Sequence, residues 1–154
     1  MAGDPEDIRA WQRLDAEITT SGRIEDKDVA RLAALGVRHV VNLALETHPE
    51  ALADEGAKLT GQGIAYTHIP VPFDAPGEDH FAAFRKAVEE GPRPVHVHCI
   101  MNWRVSAFFY RLNRDHRGMA EPEARAIMER QWSPDGSDRP EAEVWATFIA
   151  ESAR

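Results

Sequence analysis

Short apolar runs alternate along this chain with segments in which apolar residues recur every three or four positions. Continuous apolar or β-branched runs are typical of buried strands, and the longer period is typical of helices with one buried face. The runs predict strands at residues 18–22 (ending in a turn), 37–43, 64–70 and 94–98. The periodic segments predict helices at residues 25–34, 49–61, 78–90, 105–117, 121–132 and 140–152, and a weaker helix at residues 5–15.

The order of these elements predicts the fold class. Strands that alternate with helices form α/β folds, so we expect a mostly parallel sheet of about four to five strands flanked by helices. The chain has 154 residues and no internal repeat, low-complexity stretch or long linker, which predicts one domain over residues 1–154. Ligands of such sheets bind beyond the carboxyl ends of the strands.

Composition narrows the classes of function. The formal net charge of −8 argues against nucleic-acid binding, which needs a basic surface. No apolar run approaches the roughly 20 residues of a membrane-spanning helix, and the acidic, polar residues 1–7 do not resemble a secretory signal. The single cysteine forms no internal disulfide, so we expect a reduced, cytoplasmic protein.

That cysteine, Cys99, directly follows the predicted strand at 94–98, and Arg104 stands just before the predicted helix at 105–117. A strand, a short loop and a helix start aim backbone N–H groups and the positive end of the helix dipole at one point. A thiol held there ionises more easily than a free thiol and is a better nucleophile. The planar guanidinium of Arg104 suits a phosphate or sulfate group.

Four motifs carry a resemblance to a known family. In chain order they are Thr20-Ser21-Gly22, Val40-Val41-Asn42-Leu43, Tyr66-Thr67-His68-Ile69-Pro70-Val71, and Val97-His98-Cys99 with Arg104 and Ser106. With them the chain resembles the cysteine-dependent protein phosphatases of the dual-specificity branch. More narrowly, it resembles a small bacterial group of phosphatase-like domains, some of which are fused to metallo-β-lactamase-type hydrolases. The resemblance implies a dual-specificity-phosphatase-like α/β fold and hydrolysis of a phosphate monoester through a phosphocysteine.

The resemblance also implies roles for individual residues. Cys99 is the expected nucleophile, Arg104 the anion ligand, and His98 the residue that orients the loop. Ser106 either donates to the thiolate or caps the helix. Asp74 is the preferred general acid, with Asp79 as the alternative. The expected substrate-binding residues are His98, Ile100, Met101, Asn102, Trp103 and Ser106, and two residues after the 37–43 strand, Asn42 and Glu46, are further candidates for the pocket.

The loop departs from the family pattern in its spacing. The family has five residues between cysteine and arginine, whereas four separate Cys99 from Arg104. Either the loop is one residue shorter, or its length is kept and the arginine has moved forward by one. A six-residue loop of this kind is similar to that of rhodanese-like sulfurtransferases, which implies sulfur transfer through a Cys99 persulfide as an alternative. The third hypothesis is a domain that binds phosphate or sulfate without turning it over.

No cofactor and no metal are expected. The pair His96-x-His98 could chelate a metal because alternate strand residues share a face, but the cysteine loop explains His98 better. The expected partner is a phosphorylated or sulfur-bearing small molecule or a phosphoprotein, not a nucleic acid or a membrane. Trp132, Trp145 and Phe148 near the C-terminus are interpreted as core residues.

Overall fold

The computed structural model describes residues 3–151. Five strands form one sheet: β1 (Gln12–Arg13), β2 (Ile18–Ser21), β3 (His39–Asn42), β4 (Ala65–His68) and β5 (Val95–His98). Six α-helices accompany them: α1 (Asp26–Leu35), α2 (Glu55–Thr60), α3 (Glu78–Glu90), α4 (Trp103–His116), α5 (Glu121–Glu129) and α6 (Ala142–Ala150). A 3₁₀ turn at Pro134–Gly136 joins the last two helices.

The sheet has the strand order β1-β2-β5-β3-β4. β2, β5, β3 and β4 are parallel, and only β1 at the edge is antiparallel. His98 at the end of β5 pairs with Ser21 of β2 on one side and with Asn42 of β3 on the other. The predicted α/β fold with a mostly parallel sheet is therefore confirmed, and the residues after β5 emerge between two neighbouring strand ends.

Helices cover both faces of the sheet. Consecutive strand residues point to opposite faces, and Val40 and Val41 of β3 belong to two different apolar clusters. The cluster around Val41 includes residues of α3, α4, α5 and α6, whereas the cluster around Val40 includes residues of α1 and α2. Trp132, Trp145 and Phe148 are buried in the first cluster, as the sequence predicts.

Several predicted boundaries need correction. The helix predicted at residues 5–15 is wrong, because this segment forms turns and then the edge strand β1. The helix predicted at 49–61 begins only at Glu55, since Asp54 before it has a left-handed backbone with φ of 53°. Helix α4 begins at Trp103, two residues before its predicted start. The helix predicted at 140–152 spans Ala142–Ala150, and residue 152 lies outside the described residues.

Between residues 3 and 151, no helix is both long and apolar enough to cross a membrane.

Candidate functional site

A cavity of about 330 Å³ opens at the carboxyl ends of β3 and β5. Its walls come from four separate parts of the chain: the loop after β3, the loop after β4, the β5–α4 loop and the segment before α6. The lining residues are Leu45, Thr47, His48, Phe73, Cys99, Ile100, Met101, Trp103, Arg104 and Arg139. Five of the sequence-predicted site residues thus lie together in one cavity, at the edge of the sheet where α/β proteins bind ligands.

The only cysteine of the chain is a buried part of this cavity lining. Cys99 is 1% exposed and packs with the apolar cluster around Val41, yet it also contributes to the cavity lining. After it, Asn102 takes a left-handed backbone with φ of 66°, and α4 starts at the next residue. Within residues 3–151, no acceptor receives a hydrogen bond from the backbone N–H groups of residues 100–105. The first turn of any helix leaves such N–H donors free, and here the loop residues before α4 add further free donors.

Arg104 lines the same cavity as the cysteine and is buried rather than solvated. It is 7% exposed, and its Nη1 donates to the carbonyl oxygen of Val71 at 2.9 Å. Its Cζ lies 5.8 Å from the ring centroid of Phe73. Since a guanidinium has five N–H donors, the bond to Val71 leaves donors for an anion in the cavity. The guanidinium is therefore held in place while one side of it borders the cavity.

The polar side chains of Asn102, in the loop, and Ser106, in α4, form hydrogen bonds within the protein. The buried amide of Asn102 donates to the carbonyl oxygen of Ala10 at 2.9 Å and lies 3.1 Å from Thr20 Oγ1, so it fixes the loop from behind. Ser106 Oγ donates to the carbonyl oxygen of Trp103 at 3.1 Å. The expectation that Ser106 caps the helix is wrong, because Asn102 is the N-cap residue and Ser106 lies within the first turn. Its predicted bond to the thiolate stays a prediction.

His98 is anchored by a carboxylate that the sequence did not point out. Its Nε2 lies 2.7 Å from Glu55 Oε2, and its Nδ1 lies 3.1 Å from the carbonyl oxygen of Cys99. Both side chains are buried, with 4% and 5% exposed. Both ring nitrogens thus face oxygen acceptors, one a carboxylate and the other a backbone carbonyl. Glu55 thereby links α2 to the backbone at the cysteine.

The neighbouring His96 is held neutral. Its Nδ1 lies 2.8 Å from Thr19 Oγ1 and its Nε2 2.8 Å from Ser21 Oγ. Because Ser21 Oγ already donates to the carbonyl oxygen of Gly22, it accepts from Nε2–H, and Nδ1 accepts from Thr19. Burial, and then the positive charge of His98, lower the pKa of His96 well below its usual value. All four ring nitrogens of His96 and His98 are thus in use, and among the described residues no group of three possible ligands could hold a metal ion.

The predicted acids lie outside the cavity lining. Asp74 is exposed, although it directly follows the wall residue Phe73. Asp79 is exposed in the first turn of α3. Asn42 binds the Tyr66 hydroxyl and the backbone N–H of Ala44. The expectation that Asn42 and Glu46 line the pocket is wrong, since neither borders it and the Glu46 side chain is 82% exposed.

The sequence analysis missed half of the cavity wall. Leu45, Thr47 and His48 follow β3, where only the neighbouring Glu46 had been considered. The Nδ1 atom of His48 accepts a hydrogen bond from the backbone N–H of Glu50 at 3.0 Å. The position of this loop directly after a strand end is the signal by which the sequence could have predicted that it lines the cavity. Arg139, from the segment before α6, had no comparable signal.

The tail of the chain holds two of the walls in place. Trp132 Nε1 donates to the carbonyl oxygen of Trp103 at 3.0 Å, and the two indoles stack with centroids 5.0 Å apart. Trp145 Nε1 donates to the carbonyl oxygen of Phe73 at 2.6 Å. These bonds join α6 and the segment after α5 to the rings that face the cavity.

Comparisons with solved structures give the same architecture. A DUF442 protein from Shewanella putrefaciens CN-32 is 27% identical and covers 94% of this chain and 93% of its own, with a TM-score of 0.77. The core catalytic domain of the PP-IP phosphatase SIW14 from S. cerevisiae is 14% identical and covers 94% and 87%, with a TM-score of 0.74. TpbA from P. aeruginosa, in complex with pTyr, is 19% identical and covers 99% and 89%, with a TM-score of 0.69. The last two show the fold alone.

A search among curated proteins finds no match. The family model described as "Beta-lactamase hydrolase-like protein, phosphatase-like domain" matches residues 10–113. The match runs from just before β1 to the last turns of α4, and it includes both Cys99 and Arg104. It also covers all four sequence motifs on which the resemblance rests. By this match, the chain belongs to the family of phosphatase-like domains found in beta-lactamase hydrolase-like proteins.

Proposed function

We propose that this protein hydrolyses a phosphate monoester through a covalent phosphocysteine formed on Cys99. One observation carries the proposal: Cys99 and the buried Arg104 line the same cavity, beside backbone donors of residues 100–105 that meet no acceptor within residues 3–151. A nucleophile, a fixed cation and free backbone N–H donors are what a reaction at a phosphate needs, since most of its catalysis is positioning and charge stabilisation.

The reaction has two steps in which atoms and charges balance. The Cys99 thiolate attacks phosphorus, the S–P bond forms, and the ester P–O bond breaks as its oxygen takes a proton from a general acid. Water then attacks the phosphocysteine and gives a proton to the ionised acid, the S–P bond breaks, and inorganic phosphate leaves while the thiolate returns. Arg104 and the loop N–H groups bind the phosphate oxygens in both steps. No cofactor is needed.

The first step requires a proton for the leaving oxygen. We retain Asp74 as the proposed donor, because it directly follows Phe73 in the cavity wall. It is exposed in this structure, so the role requires its carboxyl group to turn toward bound substrate. His98, fixed by Glu55, is proposed to orient the loop and to favour the thiolate by its positive charge.

The substrate is proposed to be a phosphorylated small molecule or a phosphoprotein. Apolar and aromatic side chains make up much of the lining, which suits an aryl phosphate. Phosphotyrosine, bound in the structure of TpbA, belongs to this class. A cytoplasmic location is part of the proposal, because a reducing environment keeps a nucleophilic thiol active.

The test compares turnover of p-nitrophenyl phosphate by the wild-type protein, by Cys99→Ser and by Arg104→Lys. We expect Cys99→Ser to abolish turnover and Arg104→Lys to lower kcat/KM, since a lysine cannot reproduce the planar fork of donors. Circular dichroism verifies that each variant folds. A phosphatase rate that survives in Cys99→Ser would refute the proposal.

Two other activities are tested on the same proteins. Binding without turnover is favoured by one observation, namely that none of the described residues lining the cavity carries a carboxylate to supply the proton. It predicts that phosphate or sulfate binds and p-nitrophenyl phosphate is not cleaved. Sulfur transfer through a Cys99 persulfide predicts formation of thiocyanate from thiosulfate and cyanide.

A further inference from the structure

A second arginine shares the cavity with Arg104. Arg139 lies between the 3₁₀ turn and α6, outside residues 10–113 of the family match, and it lines the same cavity as Cys99. Its Cζ is 5.8 Å from the ring centroid of Phe73, the same distance as the Cζ of Arg104. The two guanidinium carbons are thus no further apart than twice this distance.

Arg139 rests on a fixed aromatic surface. Its Cζ lies 5.0 Å from the ring centroid of Trp103, within the range of a cation–π contact. Trp103 is itself stacked on Trp132 at 5.0 Å with an interplanar angle of 10°. The backbone N–H of Arg139 donates to Ser137 Oγ at 3.2 Å. These contacts hold the guanidinium at the rim of the cavity instead of leaving it to move in solvent.

The charge of Arg139 is only weakly compensated. The carboxylate of Glu141 lies 3.8 Å from its Nε, which is beyond hydrogen-bond distance. Half of the Arg139 side chain is exposed, so its outer donors remain accessible to a ligand. The described lining contains these two arginines and no carboxylate. The cavity is therefore a local cationic site on a chain of net charge −8.

We propose that Arg139 is a second anion-binding residue, which selects phosphate monoesters that carry another anionic group beside the scissile phosphate. The inference rests on the proposed function, because it assigns the phosphate itself to Arg104 and the loop N–H groups. Cys99 and Arg104 are buried whereas half of the Arg139 side chain is exposed, so the second anion belongs on the outer part of the substrate. The apolar lining between them suits the ring of an aryl phosphate.

The test uses calorimetric binding of phenyl phosphate and 4-carboxyphenyl phosphate to Cys99→Ser, which cannot turn them over. We expect the carboxylated ligand to bind about threefold to fivefold more tightly, the range of a partly exposed ion pair. Arg139→Gln in the same background should remove this preference, and Arg139→Lys should keep part of it. Arg85→Gln is the matched control, because Arg85 has a similar exposure of 42%, pairs with Glu89 and lies outside the cavity. It should leave the preference unchanged.

The possible failures are distinguishable. If phenyl phosphate binds but the preference is absent, or survives in Arg139→Gln, the inference about Arg139 is wrong while the proposed function stands. If neither ligand binds, the proposed function fails and the inference fails with it. In the active protein the same preference should appear in KM and not in kcat, because Arg139 contacts the part of the substrate that does not react.

Discussion

The buried pair of Glu55 and His98 offers the sharpest test of how the cysteine loop is held. The two side chains are 5% and 4% exposed, and Nε2 lies 2.7 Å from Oε2. Removing one member of such a pair leaves a buried charge without compensation, which typically costs about 3–5 kcal/mol. We expect Glu55→Ala to lower the free energy of unfolding by this amount. In a chain of this size that corresponds to a fall in Tm of about 6–20 °C.

Glu55→Gln separates the charge from the hydrogen bond. The amide can donate to a neutral imidazole, so we expect a smaller loss of about 1–2 kcal/mol. The positive charge proposed for His98 then loses its partner, and because the thiolate is the reactive form, alkylation of Cys99 by iodoacetamide at neutral pH should slow. The single cysteine of the chain makes the labelled site unambiguous.

Urea unfolding, monitored by tryptophan fluorescence, measures the loss of unfolding free energy in both Glu55 variants. The matched control is Glu89→Ala, because Glu89 forms an ion pair with Arg85 at 3.0 Å but is 38% exposed. Such surface pairs contribute at most about 1 kcal/mol. The reasoning is wrong if the free energies of unfolding of Glu55→Ala and Glu89→Ala differ by less than about 1 kcal/mol, the upper limit for an exposed pair.

Three further perturbations have defined outcomes. In Gly22→Ala, the new Cβ would clash with the carbonyl oxygen of Ile100, so the loop after Cys99 must shift. We expect the free energy of unfolding in urea to fall by about 1–3 kcal/mol and phosphatase turnover to be reduced. In Gly136→Ala the new Cβ meets its nearest atom at 3.7 Å, an ordinary contact, so neither quantity should change. Burial, and then the positive charge of His98, lower the pKa of His96, so below pH about 6.5 the unfolded chain binds a proton that the folded protein does not. The free energy of unfolding should therefore fall by up to about 1.4 kcal/mol per pH unit below that value. An equally steep fall in His96→Gln between about pH 6.5 and 5 would contradict this assignment. If Asp74 donates the proton, Asp74→Asn should lower kcat for phenyl phosphate by about 100-fold or more, and kcat for p-nitrophenyl phosphate much less. Equal pH–rate profiles for the variant and the wild type would remove Asp74 from the mechanism.

The sheet and most helices were predictable because their apolar patterns are unambiguous. The run at residues 37–43 contains all of β3, and the stripe of Phe81, Phe84 and Val88 gives the same limits for α3 in the sequence and in the structure. In residues 5–15, Ile8, Trp11 and Leu14 have helical spacing, yet β1 is set by its pairing with β2. Pairing with a distant strand leaves no trace in a local periodicity.

The helix predicted at 49–61 failed for a related reason. The left-handed backbone of Asp54 allows the chain to turn just before α2, and the first residue of that helix is Glu55, whose carboxylate reaches His98. A charged residue in a predicted helix is expected on the solvated face, so the sequence did not predict that Glu55 is buried. Its partner is 43 residues away in the chain, and only the packed structure brings the two together.

The cavity itself could be predicted only in part. The segment from Cys99 to Arg104 follows a strand end, and its chemistry marks it in the sequence. The opposite walls come from loops and from the tail, where the residues are ordinary in type and gain their roles through packing. Arg139 is one arginine among many in the sequence, and it is distinguished only by its position over Trp103 and Phe73.

The tail beyond the family match is therefore part of the site and not only of the core. Trp132 and Trp145 lie outside residues 10–113, and their indole nitrogens donate to the backbone carbonyls of Trp103 and Phe73, one on each of two cavity walls. An indole has a single donor, so each tryptophan fixes one backbone position while its ring fills the core. The matched segment supplies Cys99, the proposed nucleophile, and Arg104, whereas the tail supplies Arg139 and the supports of the aromatic wall. Differences in activity between this chain and its relatives should accordingly follow the tail as much as the cysteine loop.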